Sequence, residues 1–197
     1  MSVQSEKINF SSAEFLKSLQ SRENSSVEKL VKKYTKQLVN AAYGLGFNES
    51  DGAELVQSVW FTFFEKLPTF EGRSHVRTYI YGILYNKAKE LKRDRHKYTS
   101  EDPFDELMAD KFDNFGHWLK MPLSPEKFLA SAQSLEIIEK CLEVLPLQQK
   151  MAFQCKEIEG NTSVEICKIL GITSTNLGVI LYRAKIKLRD CIERKSQ

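Results

Sequence analysis

The chain has 197 residues, 42% of them hydrophobic and 28% charged, with a net charge of +3. At roughly 100–200 residues per domain this is one large domain or two small ones, and nothing approaches the ~18 unbroken apolar residues of a membrane span. Residues 1–10 lack a signal-peptide core, and Cys141, Cys155, Cys167 and Cys191 contain no Cys-x-x-Cys pair. A zinc ribbon and a disulfide-stapled secreted module are therefore disfavoured, and the expected compartment is a reducing cytoplasm.

The charge is unevenly spread. Residues 1–97 carry +5, residues 98–134 carry −4 and residues 135–197 carry +2, so an acidic stretch joins two basic blocks. Apolar spacing and the scarcity of alternating β-branched runs predict an all-α chain. After a tail over 1–11, a first helix is expected over 12–21 with Ser12 as N-cap, and a second over 26–45 carrying Leu30, Val31, Tyr34, Leu38, Ala41 and Ala42. Asn48, Ser50 and Asp51 supply capping for a third helix ending before Pro68, and a fourth runs over 74–97. These make a four-helix domain over 12–97. Periodicity then fails across an acidic linker over 98–133 that carries Pro103, Pro122 and Pro125. A second helical domain occupies 134–194, its first helix stopped by Pro146.

The second domain holds the sharpest local signal. Cys167, Gly171 and Leu177 stand at offsets 0, +4 and +10, where a helix-turn-helix needs a small residue at the helix crossing, a turn glycine and an apolar tie. Thr162 or Ser163 caps its first helix and Thr173 or Ser174 its second. Leu177, Ile180, Leu181, Ala184, Leu188 and Cys191 share one buried stripe, leaving Thr175, Val179, Tyr182, Arg183 and Ile186 opposite. Such a face suits a major groove, although a plain helical hairpin has the same pattern. Cys167 reads as a small core residue, and Cys141 and Cys155 as buried structural thiols.

In the first domain, helix three has a wide apolar side of Leu55, Val56, Val59, Trp60, Phe63, Phe64 and Leu67. Its other side carries Asp51, Glu54, Gln57, Ser58 and Phe61, a combination that fits a protein partner. Helix four sends Val76, Ile80, Ile83, Leu84 and Leu91 inward. Ser74, Thr78, Tyr81, Tyr85, Lys89 and Lys92 face the other way, with His75, Asn86 and Arg93 at the edge. Aromatics interleaved with cations suit single-stranded nucleic acid, and equally a solvated helix with half-buried tyrosines.

In their order and spacing these segments resemble a bacterial RNA polymerase sigma factor of the extracytoplasmic-function type. The resemblance rests on Glu54-Leu-Val-Gln57, on Leu67-Pro-Thr-Phe-Glu-Gly-Arg73 and on Arg77-Thr-Tyr-Ile-Tyr81 with Asn86. In the second domain it rests on Leu145-Pro146, on Glu165 through Thr173 and on Asn176 through Leu188-Arg189. It implies sigma region two over 12–97 and sigma region four over 134–194. Glu54, Gln57, Ser58 and Phe61 would meet core polymerase, the clamp helices of its largest subunit, with the flap of the second-largest subunit as a further contact. Phe70, Glu71, Gly72, Arg73 and Ser74 would form a loop that captures a base flipped from the −10 strand. Thr78, Tyr79, Asn86, Lys89, Lys92 and Arg93 would hold the opened strand. Ser174, Thr175, Asn176, Val179, Tyr182, Arg183 and Lys185 would read the −35 element. The family further implies an anti-sigma factor, no catalysis, no cofactor and no metal. The chain departs from the family pattern at Ser58, Val76, Tyr79, Gly178 and Ile180, and at Gly82, where an Arg is usual.

Two other classes fit less well. An enzyme would need a phosphate loop, a zinc site or a nucleophile elbow, and none is present; His75, His96 and His117 are not spaced as ligands. A stand-alone dimeric regulator would leave the partner face and the basic-aromatic helix without a purpose. Two modules held apart by the acidic strap are the expected arrangement.

Overall fold

The structure, a computed structural model, describes residues 8–95 and 133–195. Most of the expected tail and acidic linker lies outside the described residues. Among those described, all regular elements are helical, as the periodicity predicts.

The first domain contains α1 (Ala13–Gln20), α2 (Asn24–Gly44), α3 (Glu49–Lys66) and α4 (Val76–Arg95), with a 3-10 turn over Leu67–Thr69 before α4. Their ends follow local chemistry. The Ser12 hydroxyl accepts from the Phe15 amide at 3.2 Å, and the Asn48 side chain accepts from the Asp51 amide at 2.9 Å, so each N-terminus gains a partner for a donor the helix leaves open. Helix α2 starts two residues earlier than expected, because Arg22 turns the corner at φ 55°. It stops where Gly46 takes φ 84° and the Phe47 amide returns to the Ala42 carbonyl at 3.1 Å. Leu30 and Leu38 of α2, Leu55 and Phe63 of α3, and Val76, Ile80 and Leu84 of α4 are wholly buried in one apolar core. Each such side chain contributes about 1.5–3 kcal/mol by leaving water. Trp60 Nε1 donates to Thr35 Oγ1 at 3.1 Å, tying α3 to α2.

The second domain contains α5 (Gln133–Glu143), α6 (Leu147–Phe153) continued by a π turn over Gln154–Ile158, α7 (Ser163–Leu170) and α8 (Ser174–Lys195). Pro146, in extended backbone, separates α5 from α6 as expected. Helix α8 lies against both α5 and α6. That corrects one sequence expectation: Ile186, placed on the outward face, is buried, because a helix between two neighbours covers more than one stripe. A second correction concerns cysteine. Cys141 is not a free thiol but is joined to Cys191, linking α5 to α8, while Cys155 is free and buried.

The two domains also touch rather than standing apart. Helix α7 packs on α4, and Ile166, Ile169 and Leu170 enter the same apolar core as Val76, Ile80 and Leu84. The Arg77 guanidinium donates to the Glu159 carboxylate at 2.7 Å and to its carbonyl at 2.9 Å. Lys168 donates to the Arg73 carbonyl at 3.2 Å. The physical reason is apolar: α4 carries hydrophobic side chains on two sides, and the first domain covers only one of them.

Candidate partner and nucleic-acid interfaces

On α3, Glu54 and Gln57 are exposed and Phe61 is 72% exposed, so the polar side predicted for a partner is open. A phenyl ring left this open beside an acid and an amide is unusual only in company; a single exposed apolar residue is ordinary. Ser58 sits half-buried and turns its hydroxyl back to the Leu55 carbonyl at 2.7 Å, which leaves it a weaker contact than its neighbours.

The loop before α4 divides in two. Phe70 is buried and stacks on Tyr79, with ring centroids 4.5 Å apart, and Gln20 donates to its carbonyl at 2.9 Å. Glu71 and Arg73 are exposed and pair with each other, and Gly72 takes φ 70°, a conformation that a side chain would strain. Ser74 is half-buried. Phe70 therefore props the loop from beneath, and Glu71, Gly72 and Arg73 form its rim.

Helix α4 corrects the sequence reading most. Thr78 is 3% exposed, and Tyr81 and Tyr85 are buried, all expected on the outward face. Thr78 reaches Glu165 of α7 at 3.5 Å, and the Tyr81 ring lies under the Arg77 guanidinium at 5.3 Å. Burial, reinforced by the nearby Glu159 carboxylate, pushes the Tyr81 hydroxyl well above its ordinary range, and burial raises Tyr79 and Tyr85 as well. Lys92 turns inward, donating to the Leu45 carbonyl at 2.8 Å, and its charge lies 5.3 Å from the Phe47 ring centroid. Burial lowers its pKa. Asn86, Lys89 and Arg93 remain exposed, and Tyr79 is half-buried.

In the second domain the helix-turn-helix is realised. Helices α7 and α8 meet at 92°, within the range such motifs use. Gly171 sits in the left-handed region at φ 66°, which allows the sharp turn. Thr162 caps α7 in a reciprocal box: the Glu165 amide reaches the Thr162 hydroxyl at 3.3 Å, and the Thr162 amide reaches the Glu165 carboxylate at 2.8 Å. Although burial raises the Glu165 pKa, these bonds and the nearby cations hold it below the ordinary carboxylate value. Thr162→Ala is expected to cost about 1 kcal/mol, read as a lower midpoint in urea denaturation, with Thr162→Ser recovering most of it. On α8, Thr173 accepts from the Asn176 amide at 3.3 Å. Ser174, Thr175, Asn176, Val179 and Tyr182 are exposed on one side, Arg183 is half-buried beside them, and Lys185 pairs with Glu157 at 2.9 Å. Most of the predicted groove-facing row is thus brought together on an open helix.

The sequence reading gave no role to Arg77, Glu159 and Lys168, which join the domains. Arg77 and Glu159 stand 82 residues apart, and no periodicity connects them. Among the described residues, no group of acids, histidines and cysteines is placed to hold a metal ion, and no single helix is long and apolar enough to cross a membrane.

Comparison with known proteins agrees with this architecture. The family model for sigma-70 region 2 matches residues 30–98, and that for sigma-70 region 4 matches residues 135–188. A "Probable RNA polymerase sigma factor" of Haemophilus influenzae is 32% identical over 160 residues, covering 77% of this chain and 82% of that protein. The ECF RNA polymerase sigma-E factor of Escherichia coli K12 is 26% identical over 147 residues, covering 75% of this chain and 74% of its own. Among solved structures, the sigma factor RpoE in complex with the anti-sigma factor NepR, from Bartonella quintana, shares the fold at a TM-score of 0.61 and 18% identity, covering 85% of this chain and 96% of that one. CnrH in complex with the cytosolic domain of CnrY does so at 0.64 and 18%, covering 93% and 98%. An exposed polar side on α3, a helix-turn-helix in the second domain and family matches over both domains lead to one identity: the chain belongs to the sigma-70 family as an extracytoplasmic-function sigma factor, a non-enzymatic factor that directs promoter-specific transcription initiation.

Proposed function

We propose that the factor docks on core RNA polymerase through Glu54, Gln57 and Phe61 of α3, against the clamp helices of the largest subunit, while its second domain engages the flap of the second-largest. The loop over 70–74 and the basic end of α4 hold the opened −10 strand, and α8 reads the −35 element from the major groove. The factor works in the cytoplasm, without cofactor or metal, and an anti-sigma factor restrains it.

The observation that carries this reading is the exposed row Thr175, Asn176, Val179 and Tyr182 on the second helix of a capped helix-turn-helix. Amide and hydroxyl groups can bond base edges, Val179 can meet thymine methyls, and Arg183 beside them can bond a base or a phosphate.

Transcription in vitro with bacterial core polymerase and a genomic promoter library tests it, the expected outcome being promoter-dependent transcripts only when the factor is added. Arg183→Ala is expected to lower initiation at −35-bearing promoters by about 1–3 kcal/mol in apparent binding. An unchanged response would reject the orientation of α8, and the absence of any promoter-dependent product would reject the function.

A further inference from the structure

We infer that Cys141 and Cys191 form a thiol–disulfide exchange site for a low-molecular-weight disulfide such as oxidised glutathione, and that the bond made there fixes the second half of α8 for reading the −35 element. The inference rests on the proposed reading by α8 and adds what sets its strength. In the cytoplasm proposed for this factor, a disulfide is made and unmade rather than permanent. The two Cα atoms are 5.7 Å apart, a separation that a bonded pair adopts with no movement of the backbone. The bond can therefore open and close on one helical packing.

The two halves of α8 are held by different cores. Leu177 and Ile180 join the large apolar core of the molecule. Ala184, Leu188 and Cys191 belong instead to a separate small cluster with Cys141 and Leu145. The reading row crosses that boundary. Thr175, Asn176 and Val179 stand beside the first anchor, whereas Tyr182, Arg183 and Lys185 flank Ala184 in the second. Helix α5 packs on α8 through this cluster, so one covalent link is a large share of what holds them together. With the bond closed, α8 is anchored on both sides of Arg183. With it open, α5 and the last turns of α8 open locally, as weakly held helix ends do.

The exchange has a direction of attack. Cys141 has no exposed surface, while Cys191 is 8% exposed and lies near the end of α8. Arg194 and Lys195 are exposed in that last turn and attract the carboxylates of a glutathione. Cys191, as thiolate, attacks one sulfur of oxidised glutathione, forms a mixed disulfide and expels one glutathione thiolate. The Cys141 thiolate then attacks the Cys191 sulfur, closes the bond and expels the second. Two electrons pass from the protein to the oxidised glutathione, and the two protons lost by the protein thiols go to the glutathione released. Excess reduced glutathione runs both steps backwards. Cys155 and Cys167, on the large core, stand outside the pair.

The test uses the full chain equilibrated with oxidised or reduced glutathione and then freed of it, beside Cys141→Ala, Cys191→Ser and Cys167→Ser. Circular dichroism checks that each form is folded. In peptide mass spectrometry after oxidation, wild type is expected to carry the closed bond with no glutathione on either cysteine. Cys141→Ala is expected to retain one glutathione on Cys191, and Cys191→Ser none on Cys141. In hydrogen exchange, the α5 amides are expected to exchange roughly tenfold faster or more in reduced wild type, with α7 unchanged. Transcription in vitro with bacterial core polymerase at a −35-bearing promoter is expected to rise about two- to fivefold on oxidation, because affinity follows the fraction of chains whose helix is in the reading arrangement. Cys167→Ser is expected to keep that response and Cys191→Ser to lack it. Equal transcription by oxidised and reduced wild type would overturn the inference and leave the −35 reading in place. The absence of promoter-dependent product from every form would reject the reading by α8 instead, and the site of the adduct and the exchange of α5 would then decide whether the pair is an exchange site.

Discussion

Phe63→Ala is expected to remove about 3–5 kcal/mol of stability, the range for deleting a fully buried aromatic ring, from a protein whose whole margin is on the order of 5–15 kcal/mol. Phe63 has no exposed surface. Its ring meets Trp60 at 5.9 Å and Phe64 at 5.2 Å, both edge-on, and Tyr79 at 6.2 Å. Edge-to-face pairs add to what burial alone supplies, and α2, α3 and α4 converge here, so the walls cannot collapse freely into the space left. The damage should also reach function, because Tyr79 is the platform on which Phe70 stacks, and Phe70 supports the loop proposed to capture the flipped base. Urea denaturation followed by circular dichroism measures the first effect. A loss below about 1 kcal/mol would mean that the ring is not in a close-packed site. Phe63→Leu, which keeps most of the volume, should retain the fold and lose far less.

Much of this was legible from single helices. The period of Leu55, Val59 and Phe63 puts a core on one side of α3 and leaves Phe61 outside, and Ser12, Asn48, Thr162 and Gly171 mark boundaries by their own chemistry. What escaped depends on neighbours distant in sequence. Periodicity on α4 reports which residues are apolar and which are amphipathic, but Tyr81 and Tyr85 suit a nucleobase, a partner helix and water almost equally well. Only the arrival of α7 from the other domain decides among them. Lys92 escaped for a related reason: a long aliphatic stem can lie along the core while the ammonium finds a carbonyl at a helix end. Ile186 needed the knowledge that α8 has two neighbours. The pairing of cysteines is a long-range fact as well. The helical period places Cys191 on a buried stripe with Ala184 and Leu188, yet nothing in it points 50 residues back to Cys141.

That pairing sets the second large expectation. Reducing the Cys141–Cys191 bond should destabilise the second domain by about 2–4 kcal/mol, because a cross-link spanning a long stretch of chain restricts the unfolded state. The stretch here is a sequence separation of 50. The bond joins α5 to the far end of α8 inside a small cluster of Leu145, Ala184 and Leu188, so few other contacts can compensate for its loss. Denaturation with and without a reductant measures the effect, and Cys191→Ser should reproduce the reduced midpoint and be insensitive to further reductant. Thiol labelling supplies an independent check. Cys155 is buried, and burial pushes its pKa up to about 12, so at pH 8 it holds almost no thiolate and should resist alkylation in the native protein. Cys167 is half-buried and is the expected site of labelling. The oxidised native chain should therefore take up one alkyl group, and the reduced and denatured chain one at each of Cys141, Cys155, Cys167 and Cys191. In a reducing cytoplasm such a bond would be transient rather than permanent, and the measured difference in midpoint would be the amount by which oxidation stabilises the second domain. An identical midpoint in both redox states, together with four labelled thiols in protein denatured without reductant, would show that α5 and α8 are held by apolar packing alone.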